Sequence, residues 1–295
     1  MTLKPSSTAR RVVYYALGGG RGHATRSRLL ASWFPPGTQV HFLLPERLRA
    51  WSHGLEVSFC GPEDLGAFVA ERLAYLKPDL FVVDAFPRGV LGELAALEFP
   101  CAAWLVARWL KPAYAQRPEV VVALDRYQAV LGCERTPWDV PVLGAVVSDP
   151  PGRCQPCSLL WLGSGPLEEQ QRLADFCHAQ GAVLAAPDLG QARSDVSELL
   201  AGADLVISAA GYNAYHEIVQ SGAPAIFWPQ ARLYDQQELR AQGQLGLPTR
   251  AWTRCVGNWS ELEAALEDYR REGPTRSDPC ALVQREAWSA FFSRA

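Results

Sequence analysis

The chain has 295 residues, 48% of them hydrophobic and 20% charged, with a formal net charge of −3. Ordinary globular composition at this length supplies one large core or two modest ones, and two domains are expected. The charge balance excludes the global basic field that draws a protein to nucleic acid. The first apolar run stops at Gly18, too soon for a secretory signal or a transmembrane segment, so a cytoplasmic location is expected.

After a charged start, MTLKPSSTARR, the run VVYYALG (12–18) reads as a buried strand that leads through GGGRGH into a helix from about Ala24. QVHFLLP (39–45) and VSFCG (57–61) read as strands, Asp64 to Leu76 as a helix, and DLFVVD (79–84) as a strand. Gly89 to Leu97 then reads as a helix, and CAAWLVA (101–107) and EVVVALD (119–125) as strands. SDPPGRCQPCS (148–158), with three prolines and a glycine, has the composition of a linker and places the domains at 1–150 and 151–295.

A second alternating series follows. SLLWLG (158–163), AVLAAP (182–187), DLVIS (204–208) and PAIFWP (224–229) read as strands, and Pro166 to Gln180, Asp195 to Leu200, HEIVQSG, 235–242 and 260–271 as helices. The tail, Cys280 to Arg294, carries Leu282, Trp288, Phe291 and Phe292, a helix that must cover apolar surface. Strands alternating with helices imply parallel pairing, because a parallel neighbour needs a crossover. The expected fold is α/β: two Rossmann-like domains facing across a cleft, with ligands beyond the carboxyl ends of the strands.

Eight cysteines are scattered along the chain, several inside apolar segments, as in a reducing compartment. Cys154-Gln-Pro-Cys157 has the spacing of half a zinc site, but no second CxxC or paired His motif follows, and thiols in a linker account for it.

Four loops at strand ends carry the candidate chemistry. GGGRGH lets backbone approach a ligand closely and opens a helix with unpaired N–H donors, so Gly20 and Arg21 are candidate phosphate contacts. It is not a Walker A loop, and His23 occupies the third glycine position of a dinucleotide fingerprint; Glu46 keeps a nicotinamide reading open, as does a plain tight turn. DAFPRG (84–89) puts Asp84 at a strand end, as a reactive carboxylate or as the cap of the next helix. In GSG (163–165), Ser164 and its neighbouring amides suit phosphate oxygens.

The fourth loop is the most informative, SAAGYNAYHEIVQSGAPAIFWPQARLYDQQ. The amides of Gly211, Tyr212 and Asn213 at a helix start suit a diphosphate. Glu217 is placed to accept from vicinal ribose hydroxyls, and Asp235, Gln236 and Gln237 form a trio suited to a sugar's hydroxyl rim. Taken singly, Asn213 reads more readily as a helix cap and Glu217 as a solvated helix face. Capping does not explain their conjunction.

On GGGRGHATRSRLLA, AGYNAYHEIVQSGAPAIFWP and DQQ, the chain resembles GT-B glycosyltransferases of the MurG-like group, which includes the peptidoglycan N-acetylglucosaminyltransferase and monogalactosyldiacylglycerol synthases. The resemblance implies a nucleotide-sugar donor, usually UDP-linked, with diphosphate contacts at Gly211, Tyr212 and Asn213, ribose contact at Glu217 and sugar contacts at Gln236 and Gln237. It also implies that His23 lies near donor phosphate and acceptor, and that the tail helix returns to the N-terminal domain, whose side receives the acceptor. The acceptor is unidentified; lipid-linked and glycan-linked acceptors both stand open, as does peripheral attachment to the inner face of a membrane. A GxGHxxR-like loop and this fold also occur in UDP-sugar hydrolases of the pseudaminic acid pathway, and a non-catalytic nucleotide-sugar-binding subunit is a third reading.

The sequence contains no DxD, so neither a metal nor a cofactor is expected, and charge on the leaving group falls to backbone dipoles and to Arg21 or Arg26. A single inverting displacement needs a base near the acceptor hydroxyl. His23 is the first candidate and Asp84 the second, while His216 reads as structural. The segment at Arg193 and Ser194 is the expected neighbour of the base of the nucleotide.

Overall fold

The computed structural model describes residues 10–18, 21–61, 64–149, 151–152, 154–163, 167–186, 193, 195–245, 251–279 and 285–293. The chain forms two compact units, Met1–Gly144 with Gln284–Ala295, and Ala145–Val283. No helix among the described residues is long and apolar enough to cross a membrane.

The first unit is a six-stranded parallel sheet. Its strands are β1 (Arg11–Tyr15), β2 (Gln39–Pro45), β3 (Glu56–Cys60), β4 (Leu80–Asp84), β5 (Ala102–Ala107) and β6 (Ala129–Gly132), in the order β3-β2-β1-β4-β5-β6. Every residue of β4 is buried, because helices cover both faces of a parallel sheet and the strand therefore reads as an unbroken apolar run. Val13, Tyr15, Phe81, Val83 and Leu105 point to one face, where α2 (Leu65–Leu76) contributes Val69 and Leu73. The side chain of Asp64 caps α2 by accepting from the Ala67 amide at 3.0 Å.

The tail helix, α10 (Arg285–Phe292), belongs to this first unit, as the family resemblance implied. Phe292 stacks on Phe34 with ring centres 4.1 Å apart and on Trp104 at 5.8 Å, and the Trp288 indole donates to the Gly144 carbonyl at 3.2 Å.

The second unit is a five-stranded parallel sheet in the order β11-β10-β9-β7-β8. The strands are β7 (Cys157–Leu162), β8 (Val183–Ala185), β9 (Ala203–Ser208), β10 (Ala225–Phe227) and β11 (Thr253–Cys255). Alternation along the strands builds two cores. Leu160, Leu162 and Val206 pack with Tyr215 and Ile218 of α7 (Tyr212–Ser221) on one face. On the other face Leu159, Trp161, Leu205 and Ile207 pack with Leu173 of α5 (Leu167–Ala179) and Leu262 of α9 (Trp259–Glu272). This unit also holds α6 (Val196–Gly202) and α8 (Gln237–Ala241).

Two expectations are corrected. Residues 119–125 are not a strand but α4 (Pro118–Leu124), a helix that opens on Pro118 and buries Val120 and Ala123 three positions apart while Val121 and Val122 face solvent. The sixth strand lies just beyond it, at β6. Residues 89–97 are not a helix but a series of turns, with Gly89 at φ +81° and Gly92 at φ +93°. These turns are organised by the Glu93 carboxylate, which accepts from the amides of Val90 at 3.2 Å and Leu91 at 2.7 Å and from the Tyr15 hydroxyl.

Candidate functional site

In the first unit the strand order reverses between β1 and β4, so the chain leaves those two strands in opposite directions and opens a crevice at their carboxyl ends. Three charged or titratable side chains meet there. α1 (Arg21–Ala31) turns His23 and Arg26, three residues apart, onto one helix face. Asp84, the last residue of β4, receives them both.

The His23 Nδ1 stands 2.9 Å from Asp84 Oδ2. Arg26 Nε donates to Oδ1 at 3.0 Å, and Arg26 Nη2 donates to Oδ1 and Oδ2, both at 2.8 Å. His23 is 7% exposed, Arg26 2% and Asp84 1%. Asp84 therefore caps no helix, and Arg26, expected as a phosphate contact, is the counter-ion of a buried carboxylate. Among the two arginines named for the leaving group, Arg21 alone stands partly exposed, on the first turn of α1.

The electrostatics fix the protonation states. Burial works against the Asp84 charge, but Arg26 and His23 outweigh it and hold the carboxyl below its usual range. For His23, burial lowers the pKa from its ordinary value of 6.5; Asp84 opposes that fall, and the positive charges of Arg26 and Arg108 add to it. An ionised Asp84 can only accept, so neutral His23 donates through Nδ1 and carries its lone pair on Nε2. The imidazole lies against Gly18, where any Cβ would be driven into ring atoms Cδ2 and Nε2. This is the physical requirement for glycine at the first position of GGGRGH.

Arg108, 8% exposed and one residue past β5, belongs to this edge and was not singled out in the sequence. A charged residue directly after a buried strand, the same signal that marks Asp84, would have found it. Glu46, the acid that kept a nicotinamide reading open, forms an exposed pair with Arg49, at 2.6 and 2.8 Å. Gly20 lies outside the described residues.

In the second unit the strand order reverses between β7 and β9. Ser164, after β7, lies outside the described residues, as does Ser194; Arg193 pairs with Asp195 at 2.6 Å. After β9 the chain turns at Ala210, with φ +58°, and the N-cap of α7 is Gly211, which has no side chain with which to cap it. The Tyr212 ring points inward, its hydroxyl accepting from the Val146 amide at 3.0 Å, so what Tyr212 offers a ligand is its backbone. His216 is structural, its Nδ1 2.8 Å from the Tyr212 carbonyl and its ring against Tyr212 and Tyr215.

Of the expected sugar trio, Asp235 is engaged by buried Arg240, Nη2 to Oδ1 at 3.0 Å. The Gln237 oxygen accepts from the Gln230 amide at 2.8 Å, and its Nε2 lies toward Gly211, 3.7 Å from where a Cβ would stand. Turn and trio are thus neighbours. Glu217 lines a cavity of about 320 Å³ with Asp149, Ser197, Leu200, Gln220 and Arg276 among its walls. Neither Gly211 to Asn213 nor the trio is among the described residues that line it. Burial alone pushes the Glu217 carboxyl up to about 7.

The two cysteines of the CxxC differ in setting, Cys154 being exposed and Cys157 buried, and both are free thiols. Among the described residues no three His, Cys, Asp or Glu side chains gather to hold a metal ion.

No family model and no curated protein matches the chain. Solved structures do. MurG of Acinetobacter baumannii superposes with a TM-score of 0.59 at 15% identity, covering 95% of this chain and 94% of that one. The spinosyn rhamnosyltransferase SpnG gives 0.57 at 14% identity, covering 97% and 96%, and has also been solved with thymidine diphosphate. UDP-GlcNAc 2-epimerase of Methanocaldococcus jannaschii gives 0.53 at 13% identity, covering 96% and 99%. What these proteins share with the chain is architecture over nearly its whole length: it has the GT-B fold, built of two Rossmann-like α/β units.

Proposed function

We propose that the protein is a glycosyltransferase that moves a hexose from a nucleotide sugar, UDP- or dTDP-linked, to an acceptor hydroxyl, with inversion and without a metal ion. The observation that carries the reading is the His23–Asp84–Arg26 arrangement at the carboxyl edge of the first sheet. A neutral imidazole with Nδ1 bound to an ionised carboxylate is a general base at Nε2, and the carboxylate steadies the imidazolium that forms. The donor belongs to the second unit. The amides of Gly211, Tyr212 and Asn213 take the diphosphate, Glu217 the ribose, and Gln236 and Gln237 the sugar, with Asp235 acting through Arg240.

In the step itself the acceptor oxygen bonds to the anomeric carbon as its proton passes to His23 Nε2. The bond to the nucleoside diphosphate breaks and its electron pair leaves with the phosphate oxygen. Developing charge there is met by the α7 amides and the helix dipole.

The test is nucleotide release from UDP-, dTDP- and GDP-sugars with and without acceptor alcohols. Release that requires an acceptor and falls by about 10²–10⁴ in His23→Ala is expected. Release that water alone supports would make the protein a hydrolase, and donor binding without turnover would make it a binding subunit; either result overturns the transferase reading.

A further inference from the structure

Arg240 is entirely buried on α8, and nothing in the sequence reading assigned it a role. Its guanidinium is shared among several neighbours. Nη2 donates to Asp235 Oδ1 at 3.0 Å and Nη1 to Oδ2 at 3.3 Å. Nη1 also donates to the Ala210 carbonyl at 3.1 Å. The carbon of the guanidinium lies 5.9 Å from the centre of the Tyr212 ring. A buried cation is expensive and persists only where its hydrogen bonds are well made, so its position is closely defined.

The bond to Ala210 matters because of the conformation there. Ala210 is held at φ +58°, a left-handed geometry that a side-chain-bearing residue adopts only when its surroundings impose it. A trans peptide is planar, with its N–H opposed to its C=O. Pinning the Ala210 carbonyl on Arg240 therefore turns the Gly211 N–H away from the interior, and sets the direction from which α7 starts. The same guanidinium holds Asp235, next to Gln236 and Gln237. One side chain thus joins the turn at 209–211 to the segment at 235–237.

We propose that Arg240 is a positioning residue of the donor site: through the Ala210 carbonyl it aims the Gly211 amide and the first turn of α7 at the diphosphate of a nucleotide sugar, and through Asp235 it keeps the sugar-side glutamines in register with that turn. The proposal rests on the donor reading given under Proposed function. It assigns Arg240 no contact with the ligand, and its effect falls on the phosphates rather than on the nucleoside.

That division is measurable. The purified full chain is titrated calorimetrically with UDP and dTDP, and with uridine and thymidine. In Arg240→Met, at a temperature where circular dichroism shows it folded, diphosphate affinity is expected to fall about ten-fold, as for one lost charge-assisted hydrogen bond, with nucleoside affinity unchanged. Arg240→Lys, which can reach one partner but not hold both in a fork, should recover part of the loss. If Arg240→Met does not fold, Asp235→Asn loosens the guanidinium while keeping the shape, and should show the same selective loss in smaller measure. Equal loss for diphosphate and nucleoside, or no loss, overturns the positioning role while leaving the donor reading intact. If the unaltered chain binds neither diphosphate, the donor reading falls and the positioning role with it.

Discussion

Replacing Glu217 by Gln should stabilise the protein at alkaline pH and weaken its hold on nucleotide. The carboxyl sits on α7 at the wall of a cavity whose other charged lining residues are Asp149 of the linker and Arg276, and burial alone raises it from the ordinary 4.5 to about 7. Below the unfolded value of 4.5 the group is protonated in both states and costs nothing. As pH rises from there the unfolded chain ionises first, so stability falls until the folded group titrates at about 7. Above that the folded chain carries the full cost, which for a rise from 4.5 to about 7 is about 3 kcal/mol at about 1.4 kcal/mol per unit. Glu217→Gln has no such cost. Urea unfolding should give equal stabilities for the two proteins near pH 4 and a gap of up to about 3 kcal/mol in favour of the variant near pH 8. The same variant should bind UDP or dTDP more weakly at pH 8, by about 1.5–3 kcal/mol if a ribose hydroxyl donates to the carboxylate. Stability curves that stay parallel from about pH 4 to pH 8 would refute the assignment of a half-buried, desolvated carboxylate that ionises in the folded chain.

Four further outcomes are expected. Asp84→Asn leaves Arg26 buried without its counter-charge and should cost about 3–5 kcal/mol in urea unfolding, with any folded fraction losing the His23 tautomer and most transfer activity. Because burial lowers the His23 pKa below 6.5, the base is already neutral at pH 7; acceptor-dependent release should rise with pH on the acid side and be level by neutrality, and a midpoint above 6.5 would contradict this. Gly18→Ala pushes a methyl group into the His23 ring, so transfer should fall by about the 10²–10⁴ of a lost base while tryptophan fluorescence still reports a folded chain. Trp288→Ala removes the most buried side chain of the tail helix and should cost about 3–5 kcal/mol in unfolding by urea.

How much of this was legible in the sequence depended on how far each residue's partner lay along the chain. The parallel strands were legible because burial on both faces writes itself as a run such as Leu80 to Asp84. The run Val120-Val121-Val122 misled by the same rule: β-branched residues favour strands, but Pro118 starts a helix there and the sheet takes its sixth strand from Ala129 onward. At 89–97 the Glu93 side chain supplies acceptors to the Val90 and Leu91 amides, a local competitor to helix that periodicity does not register.

For the site, His23 and Asp84 could be picked out because each follows a buried strand, and residue type at a carboxyl edge is a local signal. What each charge is paired with is not local. Arg26 meets Asp84 only through the register of β1 with β4, and Arg240 meets Ala210 across thirty residues. Loops in an α/β sheet can therefore be ranked from sequence, but the groups within them divide into those that face a ligand and those that hold the facing groups in place only once the register is known. Arg26 and Asp235 fall in the second class, with their charges committed inside the protein. In the donor reading proposed above, the amides at the start of α7 are what the second unit offers to phosphate, an attraction of dipoles rather than full charges. Its affinity for a nucleoside diphosphate should accordingly depend only weakly on salt, with a change of about three-fold or less between about 50 and 500 mM NaCl. A steep salt dependence would mean that an arginine reaches the phosphates directly.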